Sequence, residues 1–376
     1  MNRLIIIGNG FDLAHELKTR FSDFVNSYIW KSINQFAKKG FHQDQLITIS
    51  KKGISNLSFN HYLIREGEEQ SSIEQLKKIK QDENISVHTS SFLSKLIGSQ
   101  EAERWVDIEM LYYESLLETF FHYKDYSSLE KVKELNNQFE FLRNQFLTYL
   151  RDFVEPNCNQ NLANLDLFES FYQTISSTEV NKKERIKRNG RDWTVPNKRI
   201  EKILFVNFNY TSLAKHYADK LQESNFVNDV RFLYLHGSIP ENNILFGYGD
   251  EVHEMIKEIE KSNKNEFLKH LKSFQYLEEM NYYYLSDFMM DNDFQVSIYG
   301  HSCGLSDRTL LKEIFEHDNC CSIKIFYHVR NDGSDDFSEK VFEISRHFDK
   351  KSLMRQRVNP KEHSQPIPQP FLDKNN

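Results

Sequence analysis

The sequence predicts an α/β protein in which a mostly parallel, doubly wound sheet is flanked by helices and interrupted by a large, mainly helical insertion. Three observations carry this reading. Residues 3–8 (Arg-Leu-Ile-Ile-Ile-Gly) form a short β-branched run stopped by glycine, which reads as a fully buried strand. Further strand-like runs return at 202–208, 231–235, 243–246, 295–299 and 322–327, most of them separated by helical stretches. Seven of the 13 glycines (Gly8, Gly10, Gly237, Gly247, Gly249, Gly300 and Gly304) lie just after these runs, where an open α/β sheet binds its ligands.

In chain order, Gly8-Asn9-Gly10 makes a tight turn after the first strand, and helical signals run from Phe11 to about Tyr28. Residues 43–100 are polar, with no strand pattern. Two long helices follow, from about Ala102 to His122 and from about Leu129 to Phe153, each with an aromatic and aliphatic stripe at three-to-four spacing; Pro156 stops the second. A third helix is expected over 160–176. Residues 179–201 hold the one basic run, read as a solvated loop or short hairpin. Helices are expected over Thr211–Gln222, over a long stretch within 252–290, and over Leu305–Phe315. The domain reading is a core of 1–42 and 201–350, an insertion of 43–200 acting as lid, sensor or oligomer surface, and a disordered or extended tail over 355–376.

Composition narrows the function. The 376 residues carry a formal net charge of -7, which gives no basic footprint for nucleic acid. A mean hydropathy of -0.64 with 14% aromatics describes charged helix surfaces over an aromatic core. Cys158, Cys303, Cys320 and Cys321 form no CxxC pair, which excludes a zinc ribbon and fits a reducing compartment. Leu4–Ile7 is too short for a signal sequence or a membrane span, so a soluble, cytoplasmic protein with no metal is expected.

Gly8-x-Gly10 at a helix start resembles an anion-binding turn, although Leu13 stands where a third glycine would be. Asp12 reads equally as a first-turn helix charge. Asn209-Tyr210-Thr211 and His236-Gly237 offer an amide to orient water or a ribose and an imidazole to take a proton. Gly300-His301-Ser302-Cys303-Gly304 matches a serine nucleophile elbow, but the expected acid and histidine do not follow in order; Asp318, His328 and His347 are what remains. Ser302 fits a phosphate or ribose contact better, and Asp307 fits a cap on the next helix.

Taken together, these loops resemble sirtuin-like NAD-binding domains, and the whole chain resembles the AbiH family of bacterial abortive-infection proteins. The resemblance rests on Leu4 to Leu13, Trp105-Val-Asp-Ile-Glu109, Val206 to Thr211, Leu235-His236-Gly237, Phe246-Gly247 through Asp250, and Gly300 to Asp307. It implies a Rossmann-like, sirtuin-like core that binds NAD or a related adenine nucleotide at the strand ends. Asn209 and His236 would be catalytic, and Gly8, Asn9, Gly10, Phe11, Asp12, Tyr210, Thr211, Gly237, Gly300, His301, Ser302 and Asp307 would bind the nucleotide. Trp105, Glu109 and Asp250 are further candidates, with ordinary packing an equal reading for the first two. Thr211 stands where sirtuin-like proteins usually have aspartate, and the zinc cysteines of protein deacylases are missing. The implied activity is infection-triggered hydrolysis of NAD, controlled by self-assembly or a partner protein of the defence system. The alternatives are a silent nucleotide sensor and a serine hydrolase.

Overall fold

A computed structural model describes residues 1–53, 58–98, 105–122, 127–158, 165–180, 197–248 and 256–368. The chain divides into two compact units. The first holds Met1–Leu17, Phe153–His253 and Leu271–Asn376; the second holds Lys18–Asp152 and Glu254–His270.

The elements run in chain order as follows. Strand β1 (Asn2–Ile7) is followed by helices α1 (Asn9–Ala14) and α2 (Phe21–Lys39). Next come β2 (Phe41–Gln43), β3 (Ile47–Lys51), α3 (Ser72–Gln81), β4 (Ile85–Thr89) and α4 (Ser91–Gly98). Three helices follow: α5 (Trp105–His122), α6 (Ser127–Tyr149) and α7 (Leu165–Tyr172). The chain then alternates through β5 (Lys202–Asn207), α8 (Leu213–Ser224), β6 (Asp229–Tyr234), α9 (Ile256–Lys261), α10 (Lys272–Gln275) and α11 (Asn281–Asp291). It ends with β7 (Phe294–Tyr299), α12 (Arg308–Glu316), β8 (Cys320–Tyr327), α13 (Phe337–Ser345), α14 (Lys351–Arg357) and β9 (Gln365–Pro366).

In the first unit, six strands form one sheet in the order β6-β5-β1-β7-β8-β9, and every pairing is parallel. Numbered along the chain, that order is 3-2-1-4-5-6, the doubly wound Rossmann-like arrangement. Central parallel strands are covered on both faces, and β1, β7 and nearly all of β8 are buried at every position. One face is dry: Leu4, Ile6, Val206, Val296, Ile298 and Ile323 pack on Leu285, Phe288, Leu310, Ile314 and Ile344 of α11, α12 and α13. The other face is mixed. Phe171 of α7 packs its ring on Phe205 and Tyr299, while Arg3, Gln295, Ser322 and Lys324 bury a polar network around Glu179.

In the second unit, α5 and α6 pack through rings such as Tyr112 stacked on Phe139, as their stripes predict. This unit also holds an antiparallel sheet, β2-β3-β4, in the stretch expected to lack strands. Its signal was the two-residue alternation of Ile47 and Ile49 with Thr48 and Ser50, which is hard to see in a polar stretch.

Other expectations are corrected. The helix expected over 11–28 is two, because Glu16 adopts φ +60 after α1. Residues 243–246 are a loop, and the long helix within 252–290 is several short pieces; Asn263 at φ +55 follows the first of them. Of the tail expected to be disordered or extended, β9 past Pro360 is extended and pairs with β8, and Ile367 is buried; residues 369–376 lie outside the described residues. Residues 181–196 of the basic run lie outside the described residues. No helix among the described residues is long and apolar enough to cross a membrane.

Candidate functional site

The sheet order reverses at β1, between β5 and β7, and the loops after these strands carry most of the predicted residues. The loops after β1 and β7 touch backbone to backbone. A Cβ on Gly8 would lie 2.4 Å from the His301 Cα, and one on Gly300, which sits at φ +64, would lie 2.1 Å from the Phe11 nitrogen. Only glycine permits this approach. The same contact occupies the amides expected to face an anion. Gly8 N–H donates to Tyr299 O (3.0 Å), Gly10 N–H to Gly300 O (2.8 Å) and Phe11 N–H to Gly8 O (2.8 Å). The Phe11 ring is fully buried against His15, Phe171 and Tyr217.

Asp12, the turn's first acidic residue, points inward and is 1% exposed. It accepts from Asn209 Nδ2 at 2.8 Å and from Thr211 Oγ1 at 2.9 Å. Burial pushes its pKa up to about 7 against these hydrogen bonds, with nearby Glu155 adding to the rise. Asn209 Nδ2 also donates to Gly8 O at 3.0 Å. Both acceptors demand the NH2 side of the amide, so the orientation is locked and Oδ1 is left as an acceptor with no partner among the described residues. Thr211, where the resemblance leads one to expect aspartate, meets a carboxylate supplied instead by Asp12.

A second cluster forms around Asp307. Its Oδ1 lies 2.8 Å from Lys272 Nζ and 3.3 Å from His236 Nε2, and its Oδ2 lies 3.7 Å from His301 Nε2. All four side chains are buried. Lys272 and the two histidines hold the Asp307 carboxyl well below the usual range despite burial. Asp307 does precede α12, but its side chain makes no cap hydrogen bond; the cap role read from sequence gives way to the buried ion pair. His236 Nε2 also lies 3.2 Å from Tyr276 Oη, and its Nδ1 has no partner among the described residues. His301 Nδ1 accepts from Cys303 N–H at 2.9 Å, and burial pushes its pKa down to about 3. Phe208 packs edge-on against both imidazoles, and so links the Asn209 loop to the Asp307 cluster.

The remaining candidates divide. Tyr210 Oη donates to Leu245 O, and Gly237 turns the chain at φ +76. Asn9 and Ser302 are half-buried. Ser302 has no histidine partner among the described residues, and besides Gly300 the turn residue with positive φ is Cys303, whose thiol is buried and pushed up to about 12. His347 Nε2 donates to Cys303 O instead. Among the described residues no triad is therefore assembled at the elbow. Trp105 and Glu109 belong to α5 of the second unit, where Glu109 is buried, and Asp250 lies outside the described residues.

Sequence reasoning missed Lys272 and Tyr276, which sat inside an expected helix with no signal that they turn inward, and Glu155, whose Oε2 accepts from Ser212 N–H at 3.2 Å just before α8. Among the described residues no cluster of His, Cys, Asp and Glu is arranged to hold a metal ion.

Comparison with known proteins agrees with the pattern of these loops. The family model described as bacteriophage abortive infection AbiH matches residues 4–329. No curated protein matches the chain. The match spans the sheet from β1 to β8 and every described loop of the crevice, so the chain belongs to the AbiH family of bacteriophage abortive infection, and its role is antiphage defence.

Proposed function

We propose that this defence protein hydrolyses the N-glycosidic bond of NAD. The observation that carries the reading is the locked Asn209 amide, whose oxygen is left as an acceptor at the crevice where the strand order reverses, one residue from a ring that packs on His236. Asn209 Oδ1 accepts a hydrogen bond from the attacking water or from a hydroxyl of the nicotinamide ribose. As nicotinamide leaves, positive charge grows on the ribose C1′, water adds there, and its proton passes to His236 Nδ1. Asp307 sits behind Nε2 and stabilises the imidazolium that forms, as the carboxylate does in acid–histidine pairs. Lys272 balances Asp307, so the resting pair carries no net charge.

The amides of Gly8, Gly10 and Phe11 are committed within the fold, so the nucleotide phosphates are bound by other groups or after these loops part. Purified protein incubated with NAD should release nicotinamide once activated. Asn209→Ala and His236→Ala should each lower that release by at least a hundredfold while Ser302→Ala retains turnover. Binding of NAD with no nicotinamide release in either the resting or the phage-triggered state would establish the silent sensor instead.

A further inference from the structure

The net charge of -7 averages over an uneven distribution, and one end of the second unit is strongly basic. Lys38 and Lys39 stand in the last turn of α2, and Lys78 and Lys80 in the last turn of α3. Lys51 ends β3, and Lys52 follows it. The fold brings these three pairs together. Lys51 N–H donates at 3.4 Å to the carbonyl of Gly40, the residue after α2, and Lys52 N–H donates at 2.7 Å to the carbonyl of Asn84, just beyond α3. All six side chains are exposed, and none forms an ion pair among the described residues, unlike Lys202, Lys215 or Lys272. Lysine suits a helix C-terminus, but each end carries only about half a negative charge, so four lysines overcompensate two ends. Asp82 and Glu83 follow α3, and Asp82 is committed elsewhere, accepting from Tyr62 Oη and from Asn84 N–H at 2.8 Å each.

The β2-β3-β4 sheet runs directly out of these lysines and turns a polar face outward. Register places Phe41 opposite Ser50, Ser50 opposite Ser86, Gln43 opposite Thr48 and Thr48 opposite His88, so these six side chains share one face. All six are exposed or half-buried, while His42, Ile47 and Ile49 are buried on the other side. Ser86 Oγ lies 3.0 Å from His88 Nε2 across that face. Its one apolar member is the Phe41 ring, 49% exposed and two residues from Lys39. From this juxtaposition we infer that the face binds single-stranded nucleic acid, with the lysines on the phosphates and Phe41 under a base. Unpaired lysine charge demands an anionic partner, and every base offers a π-face that a lone exposed ring can stack on. Hydroxyls and an imidazole beside that ring supply hydrogen bonds to base edges, and a flat sheet accommodates about two or three bases. A duplex hides its base faces and would leave the ring unused. A lipid surface would want more apolar side chains than Phe41 alone to insert. All of these residues belong to the second unit, so the inference stands whether or not the protein cleaves NAD.

The test is fluorescence anisotropy of short labelled oligouridylate and oligothymidylate titrated with the full-length chain. Binding of either strand satisfies the assignment, and the ratio of the two affinities tells RNA from DNA. On a double-logarithmic plot, affinity should fall with salt at a slope of about -2 to -3, the value for three or four neutralised phosphates on a single strand. Lys39→Glu with Lys52→Glu should weaken binding at least tenfold. Phe41→Ala should weaken it about fivefold or more at fixed salt and leave the salt slope unchanged, because it removes stacking and no charge. These sites are exposed, so the variants should keep the wild-type circular dichroism and unfolding midpoint. The wild-type salt slope needs no variant at all. No binding of either strand, or binding that the lysine or phenylalanine substitutions leave unchanged, would overturn the assignment. So would a duplex bound as tightly as its single strand, or lysine-dependent binding to phosphatidylserine vesicles with none to either oligonucleotide.

Discussion

Asp12 and Asp307 are both buried, yet their surroundings push them in opposite directions. Asp12 has only neutral donors, Asn209 and Thr211, so desolvation dominates and its pKa rises to about 7. Asp307 faces the Lys272 ammonium and stays ionised. The linkage signs follow. Asp12 binds its proton more tightly when folded, so its contribution is full below about pH 4 and is lost as pH rises toward about 7. Asp307 does the reverse: its contribution is present above about pH 4 and is lost as acid protonates it. Between these limits Asp12 alone of the two titrates. Asp12→Asn should therefore gain stability relative to wild type as pH increases from 5 to 8, by up to a few kcal/mol. Urea unfolding of both proteins at several pH values measures the difference, and a flat difference would show that Asp12 keeps one charge state throughout. Lys272→Met leaves a buried carboxylate without its ammonium and should cost about 3–5 kcal/mol at neutral pH, read by the same unfolding experiment.

At the scale of elements, the contact between the β1 and β7 loops sets the crevice. Gly300 combines a left-handed backbone with a neighbour 2.1 Å from its missing Cβ, and Gly8 meets the His301 Cα. Because both obstacles are backbone, they cannot rotate away. Gly300→Ala should destabilise by about 3 kcal/mol or more, through strain and overpacking together, and Gly8→Ala by a comparable amount; an alanine in the exposed Gly333 turn, where no atom lies within 4 Å, bears only the cost of its positive φ. Denaturant midpoints of the three variants give the ranking. Glycines at strand ends were legible in the sequence as a cluster. Their use was not: they were expected to open amides to an anion, and they let two loops close on each other. A glycine records only that space or a backbone angle is scarce, not which neighbour makes it so.

Across the first unit, Glu179, the first residue of the basic run, is tied to three strands. It accepts from Lys324 Nζ of β8 and from Gln295 Nε2 of β7, and Gln295 in turn accepts from Arg3 of β1. Glu179→Gln should lower stability by about 3–5 kcal/mol, because it strands the Lys324 ammonium, and adding Lys324→Met should recover part of that loss. Chemical denaturation of the single and double variants checks this coupling. None of it was readable from the chain. Arg3 opens the first buried strand with no signal of its partners, and Glu179 opens a charged run that reads as solvated. What the sequence by itself determined was five of the six parallel strands, the two aromatic helices of the insertion and the residue types around the crevice, because apolar periodicity and glycine placement are local signals. The tertiary structure decided which charges meet: Asp12 with Asn209 and Thr211, Asp307 with Lys272 and His236, Glu179 with Lys324. Those pairings join residues from distant segments, and the sign and size of each interaction depend on burial that only packing creates.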